Sequence, residues 1–335
     1  MEKEKKNIQK SEANDDGLER ALSPRNERNK TDSSSSDLDT EKLRRACDRL
    51  QQVRDSNGCL IILTGAGMSV ASGVPVFRNS DGTLSIEFLM FLKRYNNARK
   101  RHNLPQADDW FDFSVPEMFN TETEVEAWHY WRWRILRALV EPAEDYEKLK
   151  KITDYFYGKT FVVTSNCDQL HSKSGADAGH LREIHGSLGM LQCSRPCSSD
   201  LYPVNEKVIQ KLKDEHDPDW VPRCPKCKHH CLRPNVMIFG DNALVTDLID
   251  DQERNYFDFK LNAGNNFVVL EIGAGAVVPS IRFEAESLGK RGQGLIRINP
   301  SAEECFDCGV DDVKYFGFMS TSVPALEGIC NGLGL

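Results

Sequence analysis

The sequence predicts a doubly wound α/β fold, a mostly parallel sheet with helices on both faces. Three observations carry that expectation. Short apolar runs recur at residues 59–63, 161–164, 236–239, 267–272 and 295–299, each the length of a buried strand. Helically spaced stretches separate the later ones, near 246–262 and 279–288. The runs end in small or polar residues, so their loops gather at the carboxyl edge of the sheet, where open α/β folds bind ligands.

Composition narrows the class. The chain has 335 residues, 39% hydrophobic and 28% charged, enough for one large or two small globular domains. A formal net charge of -8 disfavours wholesale nucleic-acid binding. No apolar run approaches a bilayer-spanning length, and the N-terminal MEKEKKNIQKSEANDD lacks the apolar core of a secretory signal. A cytoplasmic or nuclear protein is expected. Eleven cysteines in such a reducing compartment point to metal binding or buried thiols before disulfides.

In chain order, residues 1–38 mix charges with the run Ser33-Ser34-Ser35-Ser36 and have almost no large apolar residues, so a disordered tail is expected. Leu43, Ala46, Leu50 and Val53 recur at helical spacing behind the capping signal Asp39-Thr40-Glu41. The strand from Cys59 then runs into Thr64-Gly65-Ala66-Gly67. Glycines there let the backbone approach a phosphate and turn N–H groups toward it, although many ligand-free turns also use glycine.

Residues 84–149 read as irregular and helical. Trp128, Trp131, Ile135 and Leu139 share a helical face, either a subdomain core or a channel wall. The strand at 161–164 feeds Ser165-Asn166-Cys167-Asp168-Gln169-Leu170-His171, with Ile184-His185-Gly186-Ser187 soon after. Two close cysteine pairs follow, Cys193/Cys197 and Cys224/Cys227. Such pairs on tight knuckles present four thiolates tetrahedrally to zinc, in a closed and therefore structural site. His229, His230 and Cys231 are alternative ligands. The strands at 267–272 and 295–299 end in Gly273-Ala274-Gly275 and Asn299-Pro300, and a last helix spans 321–333.

The order GAGMSVASGVPVFR, TSNCD, HGS, CxxxC…CxxC, RPNVMIFGD, EIGAG and IRIN resembles the sirtuins, NAD-dependent protein deacylases, over about residues 59–326. The versions TSN, MIFGD, EIGAG and IRIN look most like a branch common in bacteria. The resemblance implies a Rossmann-like large domain, formed by about 39–79, 146–187 and 234–335. It implies a smaller domain joining a helical module (about 80–145) to a zinc-ribbon module (about 188–233). By that likeness Gly65, Ala66, Gly67 and Ser69 hold the pyrophosphate of NAD, and Phe77 and Arg78 cover its nicotinamide end. Ser165, Asn166 and Asp168 line the nicotinamide pocket, with Asp168 on the carboxamide. Gly273, Ala274, Gly275 and Asn299 meet the adenosine half, His185 is the general base, and His171 is structural. An acylated-lysine peptide would add as a β-strand between Phe239 and Asp241.

The implied chemistry starts when the acyl oxygen of the substrate attacks the anomeric carbon of the nicotinamide ribose and nicotinamide leaves. A ribose hydroxyl, deprotonated by a neutral imidazole, then attacks the acyl carbon. The products are nicotinamide, free lysine and an O-acyl-ADP-ribose. Several residues depart from the family pattern: Val76 before Phe-Arg, then Asn79-Ser80-Asp81, Ser165, Cys167, Gln169 and Gly275. Two other readings therefore stand beside deacylation: NAD glycohydrolysis or ADP-ribosyl transfer, and an NAD-sensing module with little turnover. Acid-acyl sirtuins carry a Tyr and an Arg three residues apart on the helix before the second strand. Placing Trp128 and Trp131 at those positions predicts an apolar acyl pocket, and a slip of that alignment brings in Arg132 or Arg134.

Overall fold

The computed structural model describes residues 38–76, 83–84, 86–101, 106–108, 110–306 and 310–335. The expected tail, apart from Leu38, lies outside the described residues, as do Phe77, Arg78 and Asn79-Ser80-Asp81.

The described residues form nine strands: β1 (Cys59–Thr64), β2 (Thr160–Thr164), β3 (Leu181–Glu183), β4 (Gly186–Cys193), β5 (Tyr202–Pro203), β6 (Leu232–Val236), β7 (Phe267–Ile272), β8 (Leu295–Asn299) and β9 (Tyr315–Met319). Six of them make one sheet in the order β3-β2-β1-β7-β8-β9, every pairing parallel. The chain winds outward from β1 in both directions. The β1–β7 boundary is therefore the switch point, where loops at the carboxyl edge diverge and leave a crevice.

The alternation along β1 explains the layering. Leu60 and Ile62 face a core containing Ala46 and Leu50 of the helix Thr40–Asp55, Leu149 and Ile152 of the helix Glu144–Tyr155, and Leu326 and Ile329 of the helix Ser322–Leu333. Ile61 and Leu63 face the other way, onto Tyr256 of Asp247–Ala263 and Ile281 and Ala285 of Ser280–Arg291. Asp39 caps the first helix, its Oδ1 accepting the Lys42 N–H at 2.9 Å and satisfying one of the amides left open by the first turn.

The remaining strands make a small sheet, β5-β4-β6, packed on the helix Glu124–Arg137 and the helix Ile86–Arg101 through one shared core. Trp128 and Trp131 are its largest buried rings, and Trp128 Nε1 donates to the Leu232 carbonyl at 2.9 Å. The helical and cysteine-bearing segments thus stabilise each other.

Two expectations need correction. The run 236–239 is not a strand of the parallel sheet. The chain pairs as β6, antiparallel to β4, and leaves the sheet after Val236. Met237 and Phe239 are apolar and yet 51% and 40% exposed, so here apolarity marks a surface beside the cleft rather than a core strand. Leu139 lies past the end of its helix and is exposed, so the tryptophan face stops at Ile135. Strands β3, β4, β5 and β9 went unpredicted. Strands β3 and β5 have three and two residues, and β4 (GSLGMLQC) and β9 (YFGFM) each carry an internal glycine.

The two turns at the switch point touch backbone to backbone. A Cβ on Gly67 would lie 2.6 Å from Gly273 Cα, and one on Gly273, whose φ is +62°, would lie 2.5 Å from Gly67 Cα. We expect Gly67→Ala to cost about 1–3 kcal/mol by overpacking, checked by thermal unfolding.

Candidate active site

The turn after β1 is a short 3-10 helix, Ala66–Ser69. The N–H groups of Gly65 and Gly67 donate to Ile272 O and Gly273 O, each at 3.0 Å. These glycines therefore bring two loops together, and those two amides do not turn toward a phosphate as expected.

Ser69, 1% exposed, is the knot of the site. Its hydroxyl donates to Asp168 Oδ2 at 2.6 Å and accepts from Asn166 Nδ2 at 2.9 Å. The Tyr146 hydroxyl stands 3.2 Å away and supplies the remaining contact. Asn166 Nδ2 also reaches Gly65 O at 2.9 Å, and Asp168 Oδ1 accepts the Leu170 N–H at 2.9 Å. The loop after β2 is thus tied to the loop after β1 through side chains whose lone pairs and protons are matched. Sequence reasoning missed Tyr146, whose only signal was its helical spacing with Leu149 and Ile152.

His185 sits between β3 and β4. Its Nδ1 lies 3.2 Å from the carbonyl of Ser165, the residue before Asn166. A carbonyl only accepts, so Nδ1 carries the proton and Nε2 keeps a lone pair. Burial holds the imidazole below its usual pKa. The Ser165 carbonyl opposes that shift, and the charge of Arg134 adds to it. His185 is therefore neutral at neutral pH, as a proton acceptor must be. Nearby, burial with Asp168 alongside pushes the Glu183 carboxyl up to about 7.

His171 is 3% exposed, and its Nε2 lies 2.8 Å from Thr64 Oγ1. Burial lowers its pKa to about 4. The folded value lies below the unfolded one, so this contribution is full above pH ~6.5 and is lost as pH falls toward 4. The shift corresponds to about 3 kcal/mol. We expect thermal stability to fall steeply from pH 7 to 4.5 in the wild type and less steeply in His171→Asn.

At the other end of the crevice, Asn299 Nδ2 donates to Ala274 O at 2.9 Å and Glu304 Oε2 at 2.8 Å. Glu304 Oε1 accepts the Ala276 N–H at 3.1 Å, so this carboxylate, absent from the sequence reading, ties Asn299 to the loop holding Gly273, Ala274 and Gly275. Beneath them Arg297 and Glu271 form a buried ion pair at 2.8 Å between β8 and β7.

The sulfur atoms of Cys193, Cys197, Cys224 and Cys227 all lie within 4.8 Å of one another. Cys193 and Cys227 are 3.9 Å apart, and Cys197 and Cys224 3.6 Å, far longer than a disulfide bond. Backbone N–H groups of His230 and His229 hold the Cys227 thiol down to about 6, while burial raises those of Cys193 and Cys197. Four converging thiols on two loops fit a tetrahedral zinc ion. Cys231 instead turns its Sγ toward Phe119 O at 3.8 Å, and neither it nor His229 or His230 joins the cluster.

The segment from Met237 to Asp241 borders His185. The Met237 N–H donates to His185 O at 2.9 Å, and the Phe239 N–H donates to Ser114 O at 2.8 Å. Arg233 anchors its far end through Asp241 Oδ2 at 2.6 Å, both side chains 1% exposed. Trp128 and Trp131, expected to shape an acyl pocket, are committed to the core shared with β6. On their helix it is Arg134 whose charge acts on His185, Cys167 and Tyr130, and its guanidinium lies over the Trp131 ring at 5.4 Å.

The Sir2 family model matches residues 65–271. An NAD-dependent protein deacylase from Aeropyrum pernix is 29% identical over 76% of this chain and 85% of its own. Another from Pyrococcus abyssi is 28% identical over 71% of this chain and 80% of its own. A solved Sir2 structure with deacetylated p53 peptide and 3′-O-acetyl ADP-ribose superimposes with a TM-score of 0.60, at 22% identity over 88% of this chain and 99% of its own. A Sir2 homologue in complex with NAD gives 0.60, at 21% identity over 85% of this chain and 93% of its own.

Proposed function

The chain belongs to the Sir2 family, the sirtuins, and from that premise we propose the following working of an NAD-dependent protein deacylase. It consumes NAD as co-substrate and returns nicotinamide, free lysine and O-acyl-ADP-ribose. The observation that carries the residue roles is the continuous chain of contacts from His185 through Ser165 and Asn166 to Ser69 and Asp168, beside the touching turns at Gly67 and Gly273.

In this reading Asp168 and Asn166 orient the nicotinamide end, held by Ser69 and Tyr146. His185 Nε2 takes the proton from a ribose hydroxyl while Nδ1 stays anchored on Ser165 O. Asn299, steadied by Glu304, faces the adenosine half with Gly273, Ala274 and Gly275. The peptide lies along the Met237–Asp241 segment as an added strand, its acyl-lysine directed at His185. Zinc, held by the four cysteines, shapes the small sheet that carries this segment and takes no part in the chemistry. The reduced thiol set supports a cytosolic or nuclear protein.

Incubating purified protein with NAD and a pool of acyl-lysine peptides tests the reading. Nicotinamide release is expected to depend on peptide and to match O-acyl-ADP-ribose formed. Release without peptide makes the chain a glycohydrolase or ADP-ribosyl transferase, and binding without release makes it a sensor.

The placement of Arg134 favours an acyl group ending in a carboxylate over the apolar one expected from the tryptophans. Trp131 and Arg134 also meet the spacing of the acid-acyl pair, with Trp in place of Tyr. Succinyl- or malonyl-lysine is expected to be removed about tenfold faster than acetyl-lysine, with the order reversed in Arg134→Met. One charge-assisted pair of about 1.5–3 kcal/mol accounts for such a ratio. Acetyl preference in the wild type overturns this detail alone.

A further inference from the structure

Behind the catalytic loops, on the far side of Thr64 and Ser69, lies a cavity of about 250 Å³. It opens between the helix Glu144–Tyr155, β2 and the segment from His171 to His180. Tyr146, Leu149, Val162 and His171 are buried residues of its lining. At its rim Lys150 pairs with Asp154 at 2.9 Å, and Asp177 accepts the Gly179 N–H at 2.9 Å and stands 3.4 Å from His180 Nδ1.

His171 gives the cavity its chemistry. Thr64 Oγ1 donates to Thr164 Oγ1 at 2.8 Å, so the 2.8 Å contact with His171 Nε2 must be a donation from the ring. That leaves Nδ1 with a lone pair, and no described residue partners it. The ring is buried and lines the cavity. Nδ1 is not among the buried atoms sealed off without a partner, so the acceptor faces the cavity, where a donor can meet it. Tyr146 packs edge-on to the same ring, with centroids 5.1 Å apart.

We propose that this cavity is a second small-molecule site, taking a neutral planar ring with an N–H or O–H donor aimed at His171 Nδ1, and that its occupant acts on the catalytic loops from behind. Both routes to those loops are on its wall. His171 holds Thr64, the residue before Gly65, and Tyr146 holds Ser69, which orients Asn166 and Asp168. Leu149 and Val162 offer an apolar wall to a ring, and His171 Nδ1 offers an acceptor to its donor, beside the hydroxyl of the buried Thr160.

Indole and 1-methylindole, alike except for the N–H, serve as probes with the full chain. Saturation-transfer NMR is expected to show indole bound at least fivefold more tightly than 1-methylindole. Ala176→Leu, which fills the cavity from the segment after His171, is expected to abolish the signal with an unchanged circular dichroism spectrum. Thr153→Phe fills it from the opposite helix and decides the matter if the first variant unfolds. Equal binding of the two probes, or indole binding that survives a folded cavity-filling variant, overturns the site. Indole is also expected to shift the NAD dissociation constant at least twofold in the wild type and not in the filled variant. Binding with no such shift overturns the action on the loops. The probe arm reads binding alone, so it stands apart from whether the chain deacylates lysine.

Discussion

Replacing His185 by alanine is expected to lower the deacylation rate by about 10²–10⁴-fold, the usual contribution of a positioned general base. The anchor of His185 is a single contact to Ser165 O, and its ring is not among the large core side chains, so circular dichroism and NAD affinity should be little changed. The first bond-breaking step needs no proton acceptor in this scheme. Exchange of labelled nicotinamide should therefore survive in the variant while O-acyl-ADP-ribose formation collapses. The same histidine sets the acid limb of the pH profile. Burial keeps it neutral to lower pH than a free imidazole, so the acid limb of the wild-type profile should lie below where a free imidazole would place it. The residual rate of His185→Ala should lack that limb. Loss of exchange together with deacylation would assign His185 to binding instead.

Cys224→Ser, or stripping with a strong chelator, should be the most destructive change outside the catalytic loops. Structural zinc sites contribute about 10–16 kcal/mol of apparent binding free energy that is also folding free energy. Cys193 ends β4, and the other end of that eight-residue strand is Gly186, adjacent to His185. Loss of the ion is therefore expected to melt the small sheet and abolish deacylation, although none of the four cysteines contacts a reacting group. Metal analysis should find one zinc per wild-type chain and none in the variant. A zinc-free variant with full activity and an unchanged unfolding temperature would refute the assignment.

The parts legible in sequence were those with a local signature. Cys59–Thr64 announced itself by branched residues closed by glycine, and the four clustered cysteines by spacing alone. What escaped depended on distant partners. Tyr146 and Ser69 are 77 residues apart in sequence, and nothing near either one predicts that they meet. Glu304 carries no local signal, and only folding sets it against Asn299 and Ala276. The run at 236–239 misled because apolar residues there stand partly exposed, whereas an apolar run in sequence reads as a buried strand. Trp128 and Trp131 read either as a subdomain core or as a channel wall, and they are core, the joint between the helical segment and β6.

In the proposed arrangement, with the peptide along the Met237–Asp241 segment, the Arg233–Asp241 pair shut away from water at its end has a consequence for how fast that peptide is captured. A ledge clamped at both ends by fixed partners does not have to find its shape when a visitor arrives. The loss of freedom then falls on the incoming peptide, and encounter rates should track peptide concentration and flexibility rather than any slow rearrangement of the host.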